Sequence, residues 1–247
     1  MPSLTKLEGL YTRHYNDQYA ADKRRFSEDS PPAFVVRRAQ AQAAFVLEAT
    51  AELPIGDIGE SGAGWGALAQ ALAGAFGRKV LAYDLDPEAV SFMRSRGVDA
   101  HRGTLESSEV TQLSLVACSH TLEHMPDPRA ALEAILRRLR PGGMLFIEVP
   151  LENPVPTWWG SSAEAPYWVG HLVFLRASHL ETLARALGLR TLRTAAFDHP
   201  ASPFLVMPGE ARYDLSEVPL SADTTPSRAA KPRFLRCLYQ KPLEPPE

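Results

Sequence analysis

The distribution of apolar and polar positions predicts alternating strands and helices over residues 55–197. Short, largely apolar runs are typical of strands that are covered on both faces of a parallel sheet. The segments between them carry apolar residues at helical spacing, as at Leu132, Ile135, Leu136 and Leu139. This alternation predicts an α/β fold with a mostly parallel sheet. The predicted strands are an apolar run that begins at Ile55, followed by 80–84, 98–101, 113–118, 144–149, 191–197 and 234–239.

Local start and stop signals bound the predicted helices. Asp86-Pro87 reads as an N-cap followed by a proline in the first turn. Ser178 and Glu181 are spaced as a capping box. The predicted helices run from Pro31-Pro32 to before Pro54, from Ala67 to Ala75, from Asp86 to Gly97, from Asp127 to Pro141, and from Ser178 to Gly188.

The length of 247 residues favours one domain with elaborations. We expect an N-terminal helical flap and helix over residues 1–50 and a core over residues 51–247. Residues 152–171 form an aromatic insertion in this core, and residues 206–231, rich in Pro, Ser, Thr and charge, form a loop insertion.

Composition excludes several function classes. The formal net charge of -3 gives no excess of positive charge for binding nucleic acid or an anionic membrane. The chain has neither an apolar run long enough for a membrane-spanning helix nor a signal-peptide core at its start. Cys118 and Cys237 each lie in an apolar run, so we expect buried free thiols and a cytoplasmic protein.

A glycine-rich stretch, 59–66, joins the first strand to an alanine-rich helix. Strand, glycine turn and helix are the arrangement that brings backbone N–H groups against a nucleotide-like ligand. Asp84 follows Gly64 by twenty residues, where an acid can accept hydrogen bonds from ribose hydroxyls. Asp86 is the nearby alternative, although its N-cap role occupies it. The pattern fits an NAD(P)-dependent oxidoreductase or an S-adenosylmethionine-dependent methyltransferase.

Three features favour the methyltransferase. Asp57 places an acid in the first strand, where dinucleotide-binding proteins usually have an apolar residue. The loop His120-Thr121-Leu122-Glu123-His124-Met125-Pro126-Asp127-Pro128 follows the fourth strand, and Leu139-Arg140-Pro141-Gly142-Gly143 precedes the fifth. In this combination, residues 45–195 resemble the class I S-adenosylmethionine-dependent methyltransferases, in the branch of ubiquinone-biosynthesis and small-molecule O-methyltransferases.

The resemblance implies a Rossmann-like, seven-stranded sheet with helices on both faces and an antiparallel C-terminal strand. It also implies that Gly59, Gly62 and Gly64 wrap the methionine part of the cofactor. This turn is one residue longer than the usual spacing, which leaves the contacts of Glu60 and Ser61 open. A register that uses Gly62, Gly64 and Gly66 is the alternative.

The resemblance extends to the remaining cofactor contacts. The acid that often accompanies the base-binding loop in such families is Glu106 here, or is absent. The implied contacts are Asp84 with the ribose, Leu85 with one face of the adenine, Thr104 and Leu105 with the other face and edge, and Ser119 and His120 near the sulfonium.

Four side chains are candidates for catalysis: His120, Glu123, His124 and His171. A general base assists methyl transfer to a hydroxyl, and histidine suits neutral pH. Each candidate could equally be structural. The histidines are not spaced as metal ligands on one element, so we expect no metal site.

The aromatic insertion suggests a small-molecule acceptor with an aromatic or sugar group, although its rings could instead pack a lid or form a homodimer contact. We therefore expect methyl transfer to a small-molecule hydroxyl. An N- or C-methyltransferase, an oxidoreductase and a catalytically silent binding protein stay open as alternatives.

Overall fold

The computed structural model describes residues 33–50, 53, 55–151, 171–197 and 234–243. These residues form a seven-stranded sheet with helices on both faces. No helix within the described ranges is long and apolar enough to cross a membrane. The predicted N-terminal flap, most of the aromatic insertion and the loop 206–231 lie outside the described residues, so the domain division stays a prediction.

Five helices and seven strands are described in chain order, with two short 3₁₀ turns at Leu105–Ser107 and Leu122–His124. The helices are α1 (Ala33–Ala49), α2 (Ala67–Phe76), α3 (Pro87–Ser95), α4 (Pro128–Arg138) and α5 (Ala177–Ala186). The strands are β1 (Ile58–Ser61), β2 (Val80–Asp84), β3 (Asp99–Arg102), β4 (Leu113–Ser119), β5 (Leu139–Pro150), β6 (Arg190–Phe197) and β7 (Phe234–Gln240).

The strand order is β3-β2-β1-β4-β5-β7-β6. Strands β1 to β5 pair in parallel, whereas β7 pairs antiparallel to both β5 and β6. The order reverses at β1, which lies between β2 and β4. In open α/β sheets, ligands bind beyond the carboxyl ends of the strands at such a switch point. The predicted α/β sheet with an antiparallel last strand is confirmed.

The core divides into two layers, one on each face of the sheet. Helices α1, α2 and α3 cover the first face, where Leu72 of α2 and Phe146 of β5 are buried in one cluster. Helices α4 and α5 cover the second face, where Ile135 and Leu180 are buried. Apolar burial on both faces explains why the central strands read as nearly continuous hydrophobic runs.

Most predicted elements are confirmed, but the starts of α5 and β5 are corrected, and β1 begins at Ile58 rather than at Ile55. The side chain of Asp86 accepts a hydrogen bond from the Glu88 amide as the N-cap of α3, as predicted. Helix α5, however, begins at Ala177 rather than after Ser178. Its first turn is closed by His179 Nδ1, which accepts from the Arg176 amide at 3.3 Å, so Glu181 has no part in the cap.

Strand β5 begins at Leu139 rather than at Met144, because Leu139 already pairs with Leu113 of β4. Cys118 and Cys237 are buried free thiols, as the sequence predicts.

Candidate functional site

The glycine turn lies at the carboxyl end of β1, and its register differs from the one preferred on sequence grounds. Gly59 is inside β1, paired with Leu81 and Val116. A Cβ on Gly59 would lie 2.7 Å from Leu113 Cδ1, so this glycine faces the core from within the strand and does not belong to the turn. The turn is built from Gly62, Gly64 and Gly66, which all have positive φ. The structure therefore has the alternative register, with Gly59 in the strand that precedes the turn, and the three glycines of the turn have the usual spacing.

This register also changes which acid belongs to the first strand. Asp57 precedes β1 and is exposed, whereas Glu60 lies within β1 with only 2% of its surface exposed. One carboxylate oxygen of Glu60 has no hydrogen-bond partner among the described residues. Burial, and then the neighbouring Asp84, raise the pKa of Glu60 to about 8, although the Ala69 amide and Arg38 oppose this. A buried acid that is mainly protonated at neutral pH therefore lies under the turn.

Asp84 ends β2 and holds the turn in place. Its two oxygens accept hydrogen bonds from the amides of Gly64 (2.6 Å) and Asp86 (2.9 Å). Burial raises the pKa of Asp84, and these amide bonds oppose the shift. Because each carboxylate oxygen can accept a further hydrogen bond, Asp84 keeps the capacity to bind ribose hydroxyls. The contact of Asp84 with the ribose stays a prediction.

The segments predicted to hold the adenine lie on both sides of Asp84. Leu85 is half-buried directly after β2. Thr104 accepts a hydrogen bond from the Ser107 amide as a local cap, and Leu105 is fully buried in the core. Any contact of Leu105 with a base would therefore have to use its backbone. Glu106 accepts a hydrogen bond from Ser61 Oγ at 2.7 Å, so its carboxylate is engaged with the end of β1.

The loop after β4 lies beside the glycine turn because β4 and β1 are neighbours in the sheet. Thr121 Oγ1 donates to the carbonyl of Ser61 at 3.1 Å. A Cβ on Gly62 would lie 2.3 Å from this hydroxyl oxygen, and Gly62 has a φ of +69°. Both conditions require glycine there. Ser119, the last residue of β4, accepts a hydrogen bond from Gln42 of α1 at 2.8 Å.

All four candidate catalytic side chains come together at this edge of the sheet. His120 Nδ1 lies 3.4 Å from Glu123 Oε1, and His171 Nε2 lies 4.0 Å from the same oxygen. The rings of His124 and His171 are edge to face, with 4.7 Å between their centroids. His171 reaches the loop because the amides of Leu172 and Val173 both donate to the Glu123 carbonyl. The fold therefore assembles two chain segments into one polar cluster.

A second layer of charge lies behind His120. His120 Nε2 lies 3.0 Å from Glu148 Oε1, and Glu148 also accepts a hydrogen bond from Arg236 of β7. Glu148 and Arg236 are at most 1% exposed, and Arg38 Nε of α1 lies 3.8 Å from Glu148. Since unpaired buried charges are costly, these groups hold one another in fixed positions.

The pKa shifts in this cluster follow from its charges. Burial disfavours charge on His120, but contacts with Glu123 and Glu148 outweigh it and raise the pKa of His120. Burial likewise opposes the charged form of Glu148, yet Arg236 and His120 lower its pKa to about 2. The pKa of Glu123 is lowered despite burial, chiefly through its contact with His120. Both carboxylates are therefore ionised at neutral pH.

Glu123, His124 and His171 also offer three ligand atoms that lie within 4.8 Å of one another. Two imidazoles and one carboxylate are the donor set of many catalytic zinc sites. The sequence expectation of no metal site assumed ligands on a single element, whereas the fold brings these three together from two segments.

Comparison with known proteins decides the family. A family model described as a methyltransferase domain matches residues 11–194, about three quarters of the chain. The chain belongs to this methyltransferase family. Its topology and its turn identify it as a class I S-adenosylmethionine-dependent methyltransferase, and S-adenosylmethionine as its cofactor. The dinucleotide alternative is set aside.

Individual relatives of the methyltransferase are distant. A ubiquinone biosynthesis O-methyltransferase of Xanthomonas oryzae pv. oryzae is 33% identical over 102 residues, which cover 38% of this chain and 42% of that protein. The chain therefore matches less than half the length of this curated relative.

Solved structures show the same fold. Magnesium protoporphyrin IX methyltransferase of Synechocystis PCC 6803 with bound SAH superimposes with a TM-score of 0.62 at 14% identity, over 97% of this chain and 100% of that one. A possible histamine N-methyltransferase of Thermotoga maritima has a TM-score of 0.57 at 19% identity, over 92% and 98%.

Sequence reasoning missed four residues around the site of this methyltransferase: Arg38, Gln42, Glu148 and Arg236. A signal was present for two of them. Glu148 and Arg236 are single charges inside otherwise apolar strand runs, and buried charges in such runs are almost always paired. Arg38 and Gln42 carry no comparable signal, because their place on α1 reads as an ordinary polar helix face.

Proposed function

We propose that this methyltransferase transfers the methyl group of S-adenosylmethionine to a hydroxyl oxygen of a small molecule. The proposal rests on the buried carboxylate of Glu123, which lies close to the imidazoles of His120 and His171 beside the glycine turn. Glu123 is 1% exposed, and its Oε1 lies 3.4 Å from His120 Nδ1 and 4.0 Å from His171 Nε2. A buried charge is costly unless nearby groups compensate it, and such charged clusters are enriched at functional sites.

The cluster suits the deprotonation of a hydroxyl. In the transfer, the acceptor oxygen loses its proton to a ring nitrogen and attacks the methyl carbon. The bond between carbon and sulfur breaks, and sulfur keeps the electron pair as the neutral thioether of S-adenosylhomocysteine. A correctly placed base typically contributes ~10²–10⁴-fold to such a reaction, and alignment of donor and acceptor contributes more.

His124 and His171 are the bases that the geometry favours. Glu123 lies next to His171 at 4.0 Å, and a carboxylate beside an imidazole orients the ring and stabilises the imidazolium that forms. The O-methyltransferase activity in the name of the Xanthomonas relative supports oxygen as the acceptor atom. Amines need no base when they are neutral, which makes this cluster less apt for nitrogen.

A divalent ion at Glu123, His124 and His171 is the second candidate for hydroxyl activation, on the evidence of their three converging ligand atoms. Such an ion would bind the hydroxyl oxygen and lower its pKa, so that no protein base would be required. The two candidates differ in how they respond to chelation.

A methyl-transfer assay with labelled S-adenosylmethionine tests the proposal. The acceptors are a catechol, a simple phenol, a sugar with free hydroxyls and a primary amine. We expect label on at least one hydroxyl acceptor, and a rate at least 10²-fold lower in His171→Asn or His124→Asn. Label on the amine alone, at rates that these substitutions leave unchanged, would sink the proposal. If EDTA abolishes methyl transfer and Zn²⁺ or Mg²⁺ restores it, a bound ion activates the hydroxyl. If EDTA has no effect, the histidines activate it.

A further inference from the structure

His120 is held by Glu148 through both its backbone and its ring. Its amide donates to the Glu148 carbonyl at 2.9 Å, and its Nε2 lies 3.0 Å from Glu148 Oε1. The ring also packs against Phe234 of β7, with 5.6 Å between centroids. His120 has a φ of +51°, which is uncommon for a residue with a side chain. Such a conformation persists only where the surroundings impose it, and it is enriched at functional sites.

The other ring nitrogen faces a second carboxylate. His120 Nδ1 lies 3.4 Å from Glu123 Oε1. Because ionised carboxylate oxygens are only acceptors, both contacts are favourable when each ring nitrogen carries a proton toward its own partner. A nitrogen that already carries a proton cannot take another from a substrate.

We infer that His120 is a positioning residue and not the base: it bridges Glu148 to Glu123 and fixes the Glu123 carboxylate against His171. This inference rests on the proposed function, because Glu123 matters to the reaction only if the neighbouring imidazoles activate a hydroxyl.

Electrostatic contacts hold Glu148, at one end of this bridge, in a fixed position. Glu148 is 0% exposed and pairs with Arg236, which is 1% exposed and lies directly opposite it on β7. Arg38 approaches the same carboxylate from α1 at 3.8 Å. Removing one partner from a buried ion pair leaves an uncompensated charge and is strongly destabilising. The group that receives the His120 ring therefore cannot move without breaking contacts to two other elements.

Two substitutions of His120 separate positioning from base catalysis. Asn tolerates the left-handed backbone conformation, and its amide N–H₂ stands near the place of Nδ1, so His120→Asn keeps a donor for Glu123. Neither Asn nor Ala can act as a base. The matched control is His101→Asn, because His101 has its own carboxylate partner, Asp99 Oδ1 at 3.1 Å, and its strand β3 is three strands away from β4 in the sheet.

We expect His120→Asn to keep kcat within about tenfold of the wild type, and His120→Ala to fall at least a further tenfold, with KM for S-adenosylmethionine changed less than kcat. A base would follow a different pattern: both variants would lose ~10²-fold or more to the same extent. Equal losses of that size overturn the inference, as does wild-type activity in both variants. His101→Asn should match the wild type.

A spectroscopic readout tests the bridge without turnover. In protein labelled with ¹⁵N-histidine, we expect both ring nitrogens of His120 to carry protons at pH 7. A spectrum with one unprotonated His120 nitrogen overturns the bridge. If no hydroxyl acceptor is methylated, the proposed function fails, while this spectrum still decides whether His120 links the two carboxylates.

Discussion

The buried acid under the glycine turn gives the sharpest quantitative prediction. Glu60→Gln replaces the carboxylate by a neutral group of the same shape. In the folded protein without cofactor, the pKa of Glu60 is raised from 4.5 to about 8, first by burial and then by Asp84. Between these two pH values the folded state holds a proton that the unfolded chain has lost. The contribution of Glu60 to stability is therefore complete below pH 4.5 and is lost as pH rises through 8.

The magnitude follows from proton linkage. One differentially bound proton changes the free energy of unfolding by about 1.4 kcal/mol per pH unit. From pH 6 to pH 8 the full slope would amount to about 2.7 kcal/mol, and partial ionisation near pH 8 reduces this to about 2 kcal/mol. Glu60→Gln removes this loss, so the variant gains about 2 kcal/mol relative to the wild type over that range.

Urea denaturation of both proteins without cofactor at pH 6, 7 and 8 measures the effect. Other titrating groups are common to the two proteins, so their difference isolates Glu60. Exposed Glu88 on α3 provides the control, and Glu88→Gln should track the wild type at each pH. If the difference between Glu60→Gln and wild type is the same at pH 6 and pH 8, the reasoning about this buried acid is wrong.

Two further predictions concern stability. Gly62→Ala forces a Cβ to within 2.3 Å of Thr121 Oγ1 at a φ of +69°, so denaturant titration should show a loss of about 2 kcal/mol or more. Gly74→Ala, at an exposed position in the last turn of α2, should be neutral or gain about 0.5–1 kcal/mol. Equal behaviour of the two variants would contradict the account of the turn. Glu148 has a pKa lowered to about 2, so its contribution to stability is present above pH 4.5 and is lost as pH falls toward 2. Glu148→Gln should therefore unfold with a shallower dependence on acid pH, and at pH 7 it should be less stable by about 3–5 kcal/mol because Arg236 loses its carboxylate; an unchanged acid transition would refute this.

Much of the fold could be predicted from the sequence because its signals are local. The apolar strand runs and the N-cap at Asp86 depend on neighbouring residues, and all of them are present, although β1 and β5 begin at other residues than expected. The register of the glycine turn could not be decided in this way. Gly59 and Gly62 both satisfy a glycine pattern, and only the end of β1 at Ser61 shows which one lies in the strand.

The candidate site depends on contacts that no local pattern encodes. The four candidate side chains were predicted, but their meeting depends on hydrogen bonds from Leu172 and Val173 to the distant Glu123 carbonyl. The partnership of Glu148 with Arg236 depends on the pairing register of β5 with β7, which joins residues 88 positions apart. Non-local pairing of this kind is set by the whole sheet.

Calorimetric titration with S-adenosylmethionine tests most directly the claim that the acid at the end of β2 and the turn it supports bind the cofactor. Asp84→Asn should weaken binding at least tenfold, which is about 1.4 kcal/mol, because it places an amide N–H₂ against either the donors of the turn or the ribose. Asp86→Asn, which keeps an effective N-cap two residues away, should bind like the wild type. Wild-type affinity in Asp84→Asn, or a loss confined to Asp86→Asn, would contradict the account.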